Sequence, residues 1–384
     1  MKKIILLKLL LIVSSISLAQ THNVFHIGHS LVSPYMPAMI QSFADSTSGI
    51  NHSYNFCVIN GAPLFWHWNN SNTCQGYQAS FVDSKVELAS GAYDVFVMTE
   101  GVPWYTIMPD FYRYADSFHT AALNGNPNIQ TYLYESFNCT NTGTPTGCMY
   151  DDRDTIPWTT RIRTEIAEWE SVADSLNTLH PTAKPVYIIP VGQAFANLKD
   201  SVDAGVVPGI NNLFTDLFVD DIHPNDTGFY FVALVHYACI YQTSPIGLPS
   251  QTYGEWGGAF NPPSAQMALK LQEIAWETVC NYQKSGVKCT PTSIKENPNS
   301  GSISTYPNPA NDRLNISYSL SEKATSTIVI TDINGKEISR KSGINSYKGA
   351  NRETMELGSL TNGIYILRII ANKEQIVRKF VVSK

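Results

Sequence analysis

A serine becomes a nucleophile when a base takes its hydroxyl proton, and an imidazole serves as that base when a carboxylate fixes its other nitrogen. The sequence carries such a set in two distant places. Phe25-His26-Ile27-Gly28-His29-Ser30 ends an apolar run in a glycine-bearing turn, and Asp220-Asp221-Ile222-His223-Pro224-Asn225 follows much later. Asp220, three residues before His223, can orient the imidazole from the same loop. Acyl transfer also needs donors for an oxyanion, and the main-chain N–H groups of Ser30 and Gly61, both at glycine-bearing strand ends, suit that need. Alone, Ser30 would read as a cap for the helical stretch after it; the Asp-x-x-His partner reverses that reading. His26 and His29 invite a metal, but no carboxylate cluster joins them and no Cys-x-x-Cys pair occurs, so neither a metal nor another cofactor is expected.

Such residues need rigid elements to bring them together. From Val24 to Ile240 short apolar runs alternate with longer helical ones, the pattern of a doubly wound parallel sheet covered on both faces. The expected strands are Val24–Ile27, Ser53–Ile59, Asp94–Thr99, Gln130–Tyr134 and Val186–Val191. The expected helices are Met36–Ala44, Asp110–Leu123, Trp158–Leu179, Asp226–Tyr241 and Ser264–Tyr282. Ligands of such folds sit outside the carboxyl ends of the strands, which singles out Gly28-His29-Ser30, Asn60-Gly61, Glu100-Gly101, Glu135-Ser136 and Gly192-Gln193. Glu100 and Glu135 read equally as functional acids or as hydrogen-bonded pocket walls. Trp66, Trp68, Trp104, Tyr105 and Trp158 lie near element ends, where aromatic faces stack on sugars as readily as they pack a core. The expected pocket comprises Glu100, Gln193, Trp66, Trp68 and Trp104.

The 384 residues are 43% hydrophobic and 15% charged, enough apolar side chain for a large core and too little charge for wholesale disorder. Residues 20–302 hold 11 Lys+Arg against 25 Asp+Glu, and residues 303–384 hold 12 against 7. The acidic part should repel nucleic acid and anionic membrane. Lys2 and Lys3, an apolar run from Ile4 to Val13 and Ser17-Leu18-Ala19 predict a signal peptide over 1–19. No other run is long enough to span a bilayer, so no membrane span is expected in the mature chain. In an exported chain the cysteines should pair: Cys139 with Cys148, Cys280 with Cys289, Cys57 with Cys74, leaving Cys239 as a buried thiol. One domain then covers 20–289. Residues 290–302, rich in Thr, Pro, Ser and Asn, predict a linker. Within 303–384, Leu314–Leu320, Ser326–Ile333, Ile364–Ala371 and Ile376–Val382 alternate in the strand period, with Asn334-Gly335 and Asn362-Gly363 as turns, and predict a small all-β sandwich.

Over Val24 to Tyr241 the order of blocks resembles the SGNH (GDSL-type) hydrolases, which have a flavodoxin-like three-layer α/β/α fold and act as esterases, lipases and carbohydrate deacetylases. Gly28-His29-Ser30 stands where that family has Gly-Asp-Ser, Asn60-Gly61 where it has the second-block glycine, and Asp220 to His223-Pro224 where it has Asp-x-x-His-Pro. The resemblance implies Ser30 as nucleophile, His223 as base and then acid, Asp220 as its orienter, and the Ser30 and Gly61 N–H groups as the oxyanion hole. The third block departs from the pattern: Glu100-Gly101 stands where the family has Gly-x-Asn-Asp, whose asparagine donates to the oxyanion. A divergent subgroup is closer, through Gly61-Ala62-Pro63-Leu64-Phe65-Trp66-His67-Trp68 and Pro190-Val191-Gly192-Gln193. The C-terminal segment is similar to the type A sorting domain of the type IX secretion system, through Tyr306-Pro307-Asn308-Pro309-Ala310, Leu357 to Tyr365 and the basic ending Arg378 to Lys384. Together these imply a secreted or surface serine esterase that takes an acyl, foremost an acetyl, group from a carbohydrate or other small ester, with the type IX machinery as partner. A non-catalytic glycan-binding or adhesion protein on the same fold is the alternative, and a lipid esterase a third.

Overall fold

Strand β1 (Gln20–Gly28) is buried on both faces from Val24 onward, which in a parallel sheet requires helices above and below. The computed structural model describes residues 20–101, 108–147, 155–289, 303–332, 336–372, 374–382 and 384. The chain divides after Cys289 into two compact units.

In the first unit β1 pairs in parallel with β2 (Ile50–Val58) on one side and β5 (Val95–Met98) on the other. Beyond β5 lie β6 (Gln130–Glu135) and β7 (Tyr187–Pro190), also parallel. Two antiparallel strands of two residues each, β3 (Cys74–Gln75) and β4 (Phe81–Val82), extend the β2 edge, giving the order β4-β3-β2-β1-β5-β6-β7. The parallel strands alone follow the flavodoxin-like order, and the direction of winding switches between β1 and β5. The all-parallel expectation is corrected at this edge, where a two-residue strand in an Asn-rich loop leaves no alternation to read.

Helices α1 (Tyr35–Asp45), α8 (Asp226–Tyr241) and α9 (Ala265–Asn281) cover one face, with Phe43 edge-on to Tyr230 and Tyr237. Helices α4 (Met108–Gly125) and α5 (Trp158–Leu179) cover the other, with Phe111 edge-on to Trp169. Side chains alternate between the layers: Val24 packs into the first core, Phe25 and Ile27 into the second. Burying each such side chain stabilises by about 1.5–3 kcal/mol, which fixes strand register and with it the strand ends. Four helices had no expectation: α2 (Leu64–Asn69), α3 (Ser84–Ala89), α6 (Val191–Asp203) and α7 (Leu213–Leu217). Three are five or six residues long; α6 starts directly at the end of β7, so Val191 belongs to a helix and not to the strand expected there.

Cys57–Cys74 and Cys280–Cys289 are disulfide-bonded, and Cys239 is a buried free thiol. Residues 1–19 and 290–302, Cys148, the 102–107 segment with Trp104 and Tyr105, and Asn334-Gly335 lie outside the described residues.

The second unit is two antiparallel sheets, β12-β9-β8 and β11-β10-β13-β14. These are β8 (Ile303–Tyr306), β9 (Arg313–Leu320), β10 (Ala324–Asp332), β11 (Glu337–Ser346), β12 (Gly349–Glu356), β13 (Gly363–Ala371) and β14 (Glu374–Val382). Leu314, Ile316, Ile328, Leu367 and Phe380 are among its core. Strands β8, β11 and β12 lack the clean apolar alternation of the other four and were not anticipated.

Candidate active site

The site begins at the switch point between β1 and β5. A Cβ on Gly28 would lie 2.5 Å from Val32 Cγ2 and 2.6 Å from Thr99 Cγ2, so only glycine lets the two strand ends approach. His29 is buried, and burial pushes its imidazole down to about 4. The neutral ring donates from Nε2 to the Glu100 carbonyl at 2.9 Å, because a carbonyl can only accept; Nδ1 is then the acceptor facing the Leu31 N–H at 3.4 Å. His29 thus ties the β1 turn to the end of β5. The Val32 N–H donates to the His29 carbonyl at 2.8 Å, closing the turn that carries Ser30.

The histidine arrives on the loop between α7 and α8. Asp220 Oδ1 accepts from the main-chain N–H groups of Ile222 (2.9 Å) and His223 (2.7 Å), while Oδ2 lies 2.7 Å from His223 Nδ1. Desolvation acts to raise this carboxyl, but the hydrogen bonds from His223 and Ile222 outweigh it and hold Asp220 below the usual aspartate value. An ionised Asp220 can only accept, so His223 Nδ1 carries a proton. The Nε2 lone pair of the neutral ring then faces Ser30 Oγ at 2.9 Å. Asp221 has other partners: its carbonyl accepts from the Thr140 N–H at 2.6 Å and its carboxylate from Asn141 Nδ2 at 3.5 Å. The three residues Ser30, His223 and Asp220 therefore form one line of hydrogen bonds, and Ser30 and His223 line a cavity of about 740 Å³.

Asn60, Gln75, Tyr35, Phe229 and Asn261 line the same cavity. Gly61 follows Asn60 with φ +68°, in a turn tied to β1 by the Ile59 N–H donating to the Gly28 carbonyl at 3.1 Å. Among the described residues, neither the Ser30 nor the Gly61 N–H donates a hydrogen bond within the protein. Gln75 and Asn261 gave no sequence signal, the first because it sits on a two-residue strand. Asn261 is held from α8, with its N–H and Nδ2 both donating to Asp226 Oδ2 at 2.8 and 3.0 Å.

The expected pocket residues are corrected. Glu100, Gln193, Trp66 and Trp68 do not line this cavity; Trp104 lies outside the described residues. Glu100 Oε1 accepts from the N–H groups of Leu64 (2.9 Å) and Gly101 (2.7 Å), so its carboxyl caps α2, whose own N-cap, Pro63, has no side-chain acceptor. Burial raises it to about 7, against the pull of those bonds. Glu135 does the same for α6: it accepts from the Gln193 N–H (3.1 Å) and Nε2 (2.8 Å), and burial raises it to about 8. A Cβ on Gly192 would stand 2.7 Å from Glu135 Oε1. Both acids are helix seats, which accounts for the Glu-Gly and Gly-Gln pairs at these strand ends. Trp68 packs edge-on against Phe118, and Trp158 is buried with its Nε1–H donating to the Asn138 carbonyl at 2.9 Å. The aromatic groups at the cavity are instead Tyr35 and Phe229.

Residues 304–383 match the family described as the secretion system C-terminal sorting domain. The second unit is a type IX sorting domain. It addresses the chain to the cell surface or the medium, through the type IX machinery. Among the described residues no helix is long and apolar enough to cross a membrane. No curated protein matches the chain. Among solved structures, a DUF4886 family protein from Bacteroides uniformis is similar at 14% identity and TM-score 0.48, over 70% of this chain and 100% of that one. A carbohydrate esterase family 3 protein from Talaromyces cellulolyticus is similar at 13% identity and TM-score 0.36, over 58% and 97%. A member of the lipolytic protein G-D-S-L family from Veillonella parvula is similar at 12% and 0.31, over 56% and 95%. Likenesses at this distance leave the chemistry to the residues themselves.

Proposed function

We propose that the first unit is a serine esterase that removes an acetyl group from a carbohydrate, with Ser30 as nucleophile, His223 as general base and then acid, and Asp220 as its orienter. What carries this reading is the unbroken line from Asp220 Oδ2 through His223 to Ser30 Oγ, at 2.7 and 2.9 Å. Ser30 Oγ attacks the ester carbonyl carbon as its proton passes to His223 Nε2. The carbonyl π pair moves onto oxygen, which takes hydrogen bonds from the Ser30 and Gly61 N–H groups. As the intermediate collapses, the sugar oxygen leaves with the proton from His223. Water then repeats the sequence on the acetyl-serine, giving its proton to His223, and collapse returns that proton to Ser30 and releases acetate.

With Glu100 turned to α2, no side-chain amide comes from the end of β5, and Asn60, which lines the cavity and precedes Gly61, is our candidate for that donor. A carbohydrate alcohol is supported by the polar lining and by export of the chain. The test is acetate release from a panel of acetylated glycans by wild type and Ser30→Ala. Release by wild type that drops by roughly 10³-fold or more in the variant is expected. Equal release by both overturns the nucleophile assignment, and no release by wild type from any ester favours a non-catalytic glycan-binding protein.

A further inference from the structure

The cavity at Ser30 does not end there. Pro34, Tyr35 and Gln75 line both it and a second hollow of about 370 Å³, whose far wall is the 254–260 turn. Gly254 and Glu255 of that turn also line a third hollow, of about 980 Å³, bounded by α1 and β2. The second hollow shares lining residues with each of the other two, so the three adjoin as one grooved surface beside α1.

The chemistry of the groove is consistent along its length. Aromatic side chains stand exposed at intervals: Tyr35 at 45%, Trp256 at 74%, Tyr77 at 37% and Tyr253 at 50%. Among the described residues Trp256 makes no ring contact, and it stands at the tip of a turn closed by the Gly254 N–H donating to the Gly258 carbonyl at 2.8 Å. Charge along the lining comes from Asp45, Glu255 and Asp226, and no Lys or Arg lines any of the three hollows. The rims are built rather than loose. Gln78, held at φ +51°, donates from its N–H to Glu255 Oε1 and from Nε2 to the Glu255 carbonyl, both at 3.3 Å. In the wall of the third hollow the Tyr253 N–H donates to Ser42 Oγ at 3.0 Å.

We infer that this groove binds a neutral polysaccharide chain, with Trp256, Tyr253 and Tyr77 as stacking platforms for sugars distant from the acyl group being removed. The inference rests on the esterase reading and deepens it: the substrate is a polymer and not a small ester. Flat apolar faces alternating with polar groups suit pyranose rings, whereas a lipid chain would need a continuous apolar wall. Acids without bases disfavour a polyanion, since bringing carboxylates or sulfates beside Asp45 and Glu255 costs free energy that nothing nearby offsets.

The test compares acetylated xylan with p-nitrophenyl acetate, using the full exported chain, wild type and Trp256→Ala. The ratio of kcat/KM for xylan to that for p-nitrophenyl acetate should fall about tenfold in the variant, through KM. A second variant, Tyr77→Ala, keeps the test valid if the first does not fold. A ratio unchanged in both overturns the groove. Binding of Ser30→Ala to deacetylated xylan and to polygalacturonate, followed by calorimetry, separates the two levels of the proposal. Xylan bound at least tenfold more tightly than polygalacturonate, and lost in Ser30→Ala/Trp256→Ala, supports the groove even where wild type hydrolyses no ester. Tighter polygalacturonate binding, or no polymer binding, overturns it whatever the esterase activity.

Discussion

In the proposed mechanism Ser30 and His223 act on one proton, so removing either removes the mechanism. Ser30→Ala and His223→Ala should each lower kcat by roughly 10³-fold or more with the fold intact. Asp220→Asn should cost less, because the base remains while its orientation and tautomer are disturbed, and Asp221→Asn should be nearly silent. A damaging Asp221→Asn with a mild Asp220→Asn would contradict the hydrogen bonds that put Asp220 alone on His223. Asn60→Ala should lower kcat by about 10²-fold with KM little changed, as loss of an oxyanion donor does; an effect confined to KM would make Asn60 a ground-state contact. The Ser30, His223 and Asp220 set was legible in the sequence because Asp-x-x-His lies in one loop and the serine in one glycine turn. Glu100 was not, since nothing in Thr99-Glu100-Gly101 says whether the carboxyl faces the cavity or the helix that follows β2.

Between elements, the critical contact is the approach of β1 to β5 at Gly28. Gly28→Ala would drive a methyl into Val32 and Thr99, both β-branched and stiff. It should destabilise by about 1–3 kcal/mol and also lower kcat, as the Ser30 turn is displaced; a thermal melt and kinetics on the same preparation check both, and an unperturbed Tm would show that the strands can part there. The long elements were readable: α5 and α8 occupy the residues expected, since α5 carries Ile162, Ile166, Trp169 and Val172 at helical spacing and α8 is apolar nearly throughout. Short ones were not. Strands β3 and β4 exist because Gln75 pairs with Val58 of β2 and with Phe81, and Cys74 with Val82, a tertiary fact with no local pattern. The expected aromatic rim failed for a related reason. Trp66 and Trp68 sit on α2 and Trp158 on α5, outside the cavity lining, whereas the aromatics that do line it come from helices, Tyr35 from α1 and Phe229 from α8.

For the whole chain, buried titratable groups set the pH of greatest stability. Burial lowers His29, His119 and His236 to about 4, and His52 and His67 to about 3. From about pH 4 to the ordinary value of 6.5 the unfolded chain therefore binds more protons at these residues, and stability rises with pH. Glu100 and Glu135 act oppositely: the folded chain keeps their protons to about 7 and about 8, the unfolded chain only to about 4.5, so they take stability away as pH rises through that span. The more numerous histidines win below 6.5 and the carboxyls above it. A maximum of Tm near pH 6.5 is expected, with the decline above it flattened in Glu100→Gln/Glu135→Gln; a rise continuing to pH 8.5 would contradict these burials. All seven Trp precede Cys289, so tryptophan fluorescence reads the first unit alone. The sorting domain has its own core. Deleting 303–384 should leave acetate release unchanged and abolish passage across the outer membrane, and lost activity would make that domain part of the working enzyme. The most direct test of the central claim is covalent: reaction of the exported chain with a fluorophosphonate, followed by peptide mass spectrometry. The adduct should sit on Ser30 and form far more slowly in His223→Ala. Labelling at another serine, or at Ser30 with equal speed in both proteins, would contradict it.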